Sequence, residues 1–155
     1  MPLKRAHKTP MPERDAELRS HDFVEVNEGY NMARARFEAE RCLRCQDPVC
    51  VDGCPVKIPI PEFVHKIAAG DMAGAAKILR AANPLPAICG RVCPQESQCE
   101  AECSVGTRFV PVAIGYLERF VADWEMVQPA GEEPARPTRP EKVAVIGSGP
   151  AGLVC

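Results

Sequence analysis

Aromatic side chains are scarce, at 5% of 155 residues with a single Trp, so a core built mainly on aromatic packing is excluded. Histidine is scarcer: His7, His21 and His65 are isolated from one another. His65, within a helical stretch, reads as a surface or packing residue rather than a ligand. No apolar run approaches the roughly 20 residues of a membrane-spanning helix. Neither sign of charge dominates, with 19 Lys plus Arg against 21 Asp plus Glu and a formal charge of −2. That balance argues against a nucleic-acid surface or an anionic-membrane anchor. The basic start, Met1 to Lys8, has no apolar core behind it. No secretion signal is expected, and a cytoplasmic location is.

What the chain has instead is nine cysteines and 16 prolines. In a reducing compartment a disulfide framework is disfavoured, and clustered cysteines point to metal or redox chemistry. The prolines describe short helices and many loops. The apolar core is modest, so bound metal is expected to supply part of the folding free energy.

Residues 1–20 read as a polar arm or a short lead-in helix. Asn31 to Arg41 predicts a helix with Asn31 as N-cap. It runs into Cys42 and a loop rich in Pro, Gly and Asp. Pro61 suits the first turn of the next helix, where Ile60, Phe63, Val64 and Ile67 share a face. Gly70 ends it and Asp71 caps a further helix, with Met72, Ala75, Leu79 and Ala82 as its apolar stripe. Asn83-Pro84 stops that helix. A second cysteine loop follows, from Cys89 to Cys103. Residues 112–127 form the longest amphipathic helix, with Ile114, Leu117, Phe120, Val121 and Trp124 on a broad apolar face. Residues 128–141 are proline-rich and charged, and read as a linker.

The cysteines fall in two groups, Cys42-x2-Cys45-x4-Cys50-x3-Cys54 and Cys89-x3-Cys93-x5-Cys99-x3-Cys103. Thiolates suit iron–sulfur clusters, zinc or copper(I). Zinc favours paired Cys-x2-Cys knuckles, and only Cys42 and Cys45 have that spacing. Three close cysteines followed by Cys54-Pro55 are a ferredoxin-type pattern, in which the fourth cysteine goes to the other cluster. A zinc-stapled domain is the competing reading. Cys155 lies outside both groups and reads as free. Lys57, Arg80 and Arg91 flank the loops, either to offset cluster charge or simply as solvated residues.

Four stretches carry a family resemblance: CLRCQDPVCVDGCPVKIPIPEF, NPLPAICGRVCPQESQCEAEC, VAIGYLERF and KVAVIGSGPAGL. Together they resemble the N-terminal iron–sulfur domain of the glutamate synthase small (beta) subunit family. Dihydropyrimidine dehydrogenase and the large subunit of NADH-dependent ferredoxin:NADP oxidoreductase share that domain. The resemblance implies one 4Fe-4S cluster on Cys42, Cys45, Cys50 and Cys103. It implies a second on Cys54, Cys93 and Cys99, with Glu118 as an unusual fourth ligand. A plain count of thiols competes, with Cys89 completing the second set, and helix geometry alone favours Glu118 as a rim glutamate paired with an arginine; the resemblance reverses that. Helical spacing puts Glu118 beside Ile114 and Val121 at the margin of the buried face and points Arg119 well away. If Glu118 is the ligand, Cys89 becomes a buried thiol near the cluster.

Val143 to Ile146 read as a short buried strand, followed by Gly147-Ser-Gly149-Pro-Ala-Gly152. A strand before this pattern and a helix after it make a dinucleotide-binding fingerprint. Gly147 would make the tight turn, Gly149 would admit the pyrophosphate, and Gly152 would allow close helix packing. The resemblance implies that this motif binds FAD and that a downstream domain binds NADPH. Here the motif is expected to open a truncated Rossmann domain.

The expectation is a mainly α, helical domain with two clusters over 1–127, a linker over 128–141, and the first strand and glycine turn of a FAD domain over 142–155. The parent would be an NADPH-dependent oxidoreductase of glutamate synthase type. Its electrons would pass through both clusters to a large (alpha) subunit, or to another flavoprotein or ferredoxin partner. Neither nucleic acid nor membrane is expected as a partner. The truncated chain itself is expected to lack catalytic activity. Pyrimidine reduction and ferredoxin-linked transhydrogenation are alternatives within the enzymes. A non-catalytic module with a structural zinc or cluster is the alternative outside them.

Overall fold

The computed structural model describes residues 6–129 and 140–154. Its secondary structure is helical: α1 Met32–Ala39, α2 Val49–Asp52, α3 Ile60–Ala69, α4 Met72–Ala82, α5 Pro86–Val92, α6 Ile114–Met126 and α7 Pro150–Val154. Single 3-10 turns lie at Leu18–Ser20, Gln95–Ser97 and Ser104–Thr107.

Local chemistry explains the helix limits. The Asn31 side chain accepts from the Arg34 N–H and starts α1. Asp71 accepts from the Gly74 N–H and starts α4. Each thereby satisfies a backbone donor that the helix itself leaves unpaired. Gly70 closes α3 in the left-handed region at φ 82°, where a side chain would be strained. Pro86 sits in the first turn of α5, where its missing N–H costs nothing.

α6 is the central element. It packs against α5, α4, α3 and α1, and α3 packs in turn on α1 and α4. Ile60, Phe63, Val64 and Ile67 of α3, with Met72, Ala75 and Leu79 of α4, bury the faces expected of them, while Ala82 and Trp124 are half-buried against this core. Tyr30 and Tyr116 meet edge to face at 5.7 Å.

The arm is not a lead-in helix. It folds back on itself through a bridge between Glu13 and Asn27, with Arg14 N–H donating to the Val26 carbonyl at 2.9 Å. It is fixed to the bundle by Glu38, which is fully buried. The Glu38 carboxylate accepts from the Thr9 N–H at 2.7 Å, the Ala113 N–H at 2.9 Å and the Arg41 guanidinium at 2.5 Å. Arg41 in turn donates to the Pro111 carbonyl at 3.0 Å. A buried charge pair needs its remaining hydrogen-bonding capacity filled from nearby. Here the arm and the entry to α6 fill it.

Three expectations are corrected. Cys89 lies on α5 and not in a loop, because Pro86 begins a helix where Pro84 ended one. Arg119 does not point to solvent; it is 4% exposed. The arm covers that face of α6, and Arg119 donates to the Asn27 carbonyl at 2.8 Å and to Asp123 at 3.2 Å. Val143 to Ile146 form no strand, and no named strand occurs among the described residues. A strand's N–H and C=O groups need a neighbouring ladder, and Ile146 is 97% exposed. The turn and helix of that motif do form. Gly147 has φ 115°, and the Leu153 N–H donates to the Gly149 carbonyl at 3.0 Å. Of the linker, residues 130–139 lie outside the described residues, as does Cys155.

Candidate metal centres

The eight cysteines in the described residues are all free thiols, and they gather in two places. Cys42 and Cys45 follow α1, Cys50 sits on α2, and Cys103 leads the 3-10 turn at Ser104–Thr107. All four line one pocket, whose apolar wall includes Ile60, Val64 and Ile114. Cys103 thus leaves its sequence group and joins the first. Arg44, left-handed at φ 54°, makes the turn between Cys42 and Cys45. Its backbone N–H is directed to the Cys42 sulfur.

Burial pushes the Cys50 thiol up to about 12, and the nearby Cys103, Cys42 and Cys45 push in the same direction. Cys42 is raised for the same reason, burial first and then Cys103 and Cys45, with the Arg44 N–H opposing. Thiols crowded this way keep their protons unless a cation replaces them.

The second group surrounds the junction of α5 and α6. Cys99 is pushed up to about 12 by burial, then by Glu100, Cys54 and Glu118. Cys93 is pushed up to about 11 by burial, then by Cys89, Glu118 and Cys54. Cys93 and Cys99 thus each feel Cys54 and Glu118, from two other segments of chain. Gly53 permits the approach of the first loop: a Cβ there would lie 2.8 Å from the Gln98 carbonyl oxygen. Cys89 adjoins Cys93 one helical turn away, and the Cys93 N–H donates to the Cys89 carbonyl at 3.1 Å. It is half-buried rather than fully buried.

Glu118 is 6% exposed. Burial pushes its carboxyl up to about 7, and only an Asn83 hydrogen bond opposes this. A carboxylate desolvated this far, with one polar partner, favours a cation in contact with it. Among the described residues no three Cys, His, Asp or Glu side chains converge as a single metal ion requires. Cys42, Cys45, Cys50 and Cys103 line a pocket instead, and the soft donor set suits a polynuclear iron–sulfur cluster.

The flanking cations are engaged elsewhere. Lys57 pairs with Asp52 at 3.1 Å, Arg80 with Glu125 at 2.9 Å, and Arg91 with Glu25 at 2.8 Å. His7, His21 and His65 are exposed. Two polar residues were not singled out by the sequence. Ser104 Oγ lies 3.5 Å from Cys45 Sγ, and Asn83 reaches Glu118 at 2.8 Å. Adjacency to Cys103 was the available signal for Ser104. For Asn83 there was none, since Asn-Pro reads only as a helix stop.

Residues 19–130, which hold both groups, match the family described as dihydropyrimidine dehydrogenase domain II, 4Fe-4S cluster. The chain belongs to that family. Members and relatives agree over most of its length. It is 38% identical over 146 residues to the NADPH glutamate synthase small chain of Escherichia coli K12, covering 93% of this chain and 31% of the relative. It is 40% identical over 131 residues to the NAD-dependent dihydropyrimidine dehydrogenase subunit PreT of the same organism, covering 83% and 31%. A putative oxidoreductase, AegA, is 36% identical over 90% of this chain and 21% of its own length. The chain thus spans less than a third of the relatives it matches. Those relatives are oxidoreductases or parts of them, and this chain is an iron–sulfur domain of that kind. Among the described residues no helix is long and apolar enough to cross a membrane.

Proposed function

We propose that this chain holds two 4Fe-4S clusters, the first on Cys42, Cys45, Cys50 and Cys103 and the second on Cys54, Cys93, Cys99 and Glu118. The observation that carries the reading is the arrival of Cys103 beside Cys42, Cys45 and Cys50 around one pocket. The second set is supported by Cys54 and Glu118 both acting on Cys93 and on Cys99, and by the burial of Cys54, Cys99 and Glu118. When bound, the clusters supply one-electron transfer between a reduced flavin and an acceptor. The chain's own residues ligate, orient and exclude water. Ile60, Val64 and Ile114 wall the first site, and α6 shields both.

The parent protein is an NADPH-dependent oxidoreductase of glutamate synthase type, with FAD at Gly147, Gly149 and Gly152 and NADPH on a further domain. Its partner is a large, electron-accepting subunit. The domain limits 1–127, 128–141 and 142–155 belong to the same reading. A rival ligand set has a specific observation in its favour: Cys89 lies one helical turn before Cys93, whose N–H donates to its carbonyl at 3.1 Å, so it too stands next to the second site.

Iron and acid-labile sulfide analysis of anaerobically prepared chain tests the proposal. About eight of each per chain are expected from two cubanes. Cys103→Ala should lower the iron of the first site although the residue lies in the second sequence group. Stoichiometric zinc without sulfide, from protein made with iron available, would reject the reading.

A further inference from the structure

The second site contains a residue held on both sides of its amide. Asn83 ends α4, is 3% exposed, and has a fixed orientation. Its Oδ1 accepts from the Leu85 backbone N–H at 3.0 Å. A backbone N–H can only donate, so that end of the amide must be the oxygen, and the Nδ2 donor is left facing inward. Nδ2 donates to Glu118 Oε1 at 2.8 Å. The Asn83 backbone N–H is itself tied to the Leu79 carbonyl at 2.8 Å. The side chain cannot turn away without giving up the turn that follows α4.

We infer that Asn83 is the positioning residue of the second cluster: it engages Glu118 Oε1, presents Oε2 as a single-oxygen iron ligand, and sets that ligand's donor strength. This rests on the reading that Glu118 is a ligand. Three consequences follow from the geometry. With Oε1 engaged by a fixed donor, Oε2 is the oxygen left to lead toward iron. The donated hydrogen bond draws electron density from the carboxylate, weakening it as a ligand to the oxidised cluster and raising the potential. The inner side of the site is also selective. A residue at 118 needs an oxygen able to accept from Nδ2 while another electron pair or atom meets iron. Carboxylate and amide side chains meet that need with two atoms, whereas a thiolate would have to accept from Nδ2 and bind iron through one sulfur on a shorter arm.

The test uses the 155-residue chain reconstituted with iron and sulfide. Asn83→Asp keeps an oxygen for the Leu85 N–H but faces Glu118 with an acceptor. Potentiometric titration followed by electron paramagnetic resonance should show the second cluster's midpoint moved downward. The first cluster should not move. Asn83→Gln, with the donor restored on a longer arm, should recover part of the shift. An Asn83→Asp chain with both potentials unchanged overturns the inference. So does equal loss of both clusters, which would make Asn83 a helix stop and nothing more. If Glu118→Ala leaves the second cluster intact, the ligand reading itself fails. If Glu118→Ala destroys that cluster while Asn83→Asp leaves it unmoved, only the role of Asn83 fails.

Discussion

Ser104 Oγ stands 3.5 Å from Cys45 Sγ, joining the start of a 3-10 turn to the middle of the first cysteine loop. Ser104 directly follows Cys103. The contact therefore reaches a second ligand of the first proposed cluster from the chain segment that supplies its fourth. With the cysteine as thiolate, the hydroxyl is the donor and the sulfur the acceptor.

That direction makes a prediction. Hydrogen bonds to a ligating sulfur stabilise the more negative, reduced cluster. Ser104→Ala should lower the midpoint potential of the first cluster and leave the second unmoved. Ser104→Thr should retain the original value. Redox titration monitored by electron paramagnetic resonance measures both, and an unchanged first midpoint in Ser104→Ala would show that the contact does not survive cluster binding.

Glu118 and Cys89 divide the two ligand sets. With Glu118 as ligand, Glu118→Ala should lower the second cluster's iron or leave a three-iron form, and Glu118→Gln should be milder because an amide oxygen can still coordinate. Cys89→Ala should then leave the iron count near eight. Iron analysis and low-temperature resonance spectra on the two alanine variants decide the matter. An intact second cluster in Glu118→Ala, with loss in Cys89→Ala, assigns the site to Cys89.

Gly90 offers a test of the α5–α6 junction that involves no metal ligand. A Cβ placed there would lie 2.6 Å from the Arg119 backbone nitrogen and 2.8 Å from its Cα. Backbone of a packed helix cannot move aside as a flexible side chain can. Gly90→Ala should destabilise the chain by about 1–3 kcal/mol through overpacking, even though alanine favours helix. Denaturant unfolding monitored by circular dichroism reads the loss, and unchanged stability would mean that the two helices separate freely.

The helices legible in the sequence were those with both a periodic face and a chemical stop. Asn31, Asp71 and Gly70 mark their ends, and the stripes on α3 and α4 bury as their spacing says. α5 was hidden because Pro84, Pro86 and Gly90 look like loop punctuation, although Pro86 begins a helix there. Arg119 was misplaced because periodicity describes one helix and a core, whereas a folded-back arm supplied a second cover. The strand at Val143 to Ile146 was read from composition, but pairing is a property of two segments. At the site, the ligand types were visible in the spacing of the cysteines. The regrouping of Cys103 was not; it came from resemblance, and the folded chain gives it a location. Asn83 stayed unseen because its function depends on which way a fixed amide faces.

The gathering of Cys103 with Cys42, Cys45 and Cys50 around one pocket also orders events in time. A chain emerges from the ribosome N-terminus first, at roughly 5–20 residues per second. Three thiols of that pocket are therefore outside for seconds before the fourth exists, and α6, which walls the pocket through Ile114, comes later still. During that interval the nascent chain presents an open trio of reactive sulfurs with no lid. Iron delivered then would sit on a three-point, solvent-exposed perch, vulnerable to oxygen. Delivery after residue 114 has emerged finds a closed cradle. A cluster held as proposed would therefore be completed only once the segment through Ile114 has emerged. Ribosome-arrested chains ending on either side of Cys103, assayed for retained iron, would show whether that timing holds.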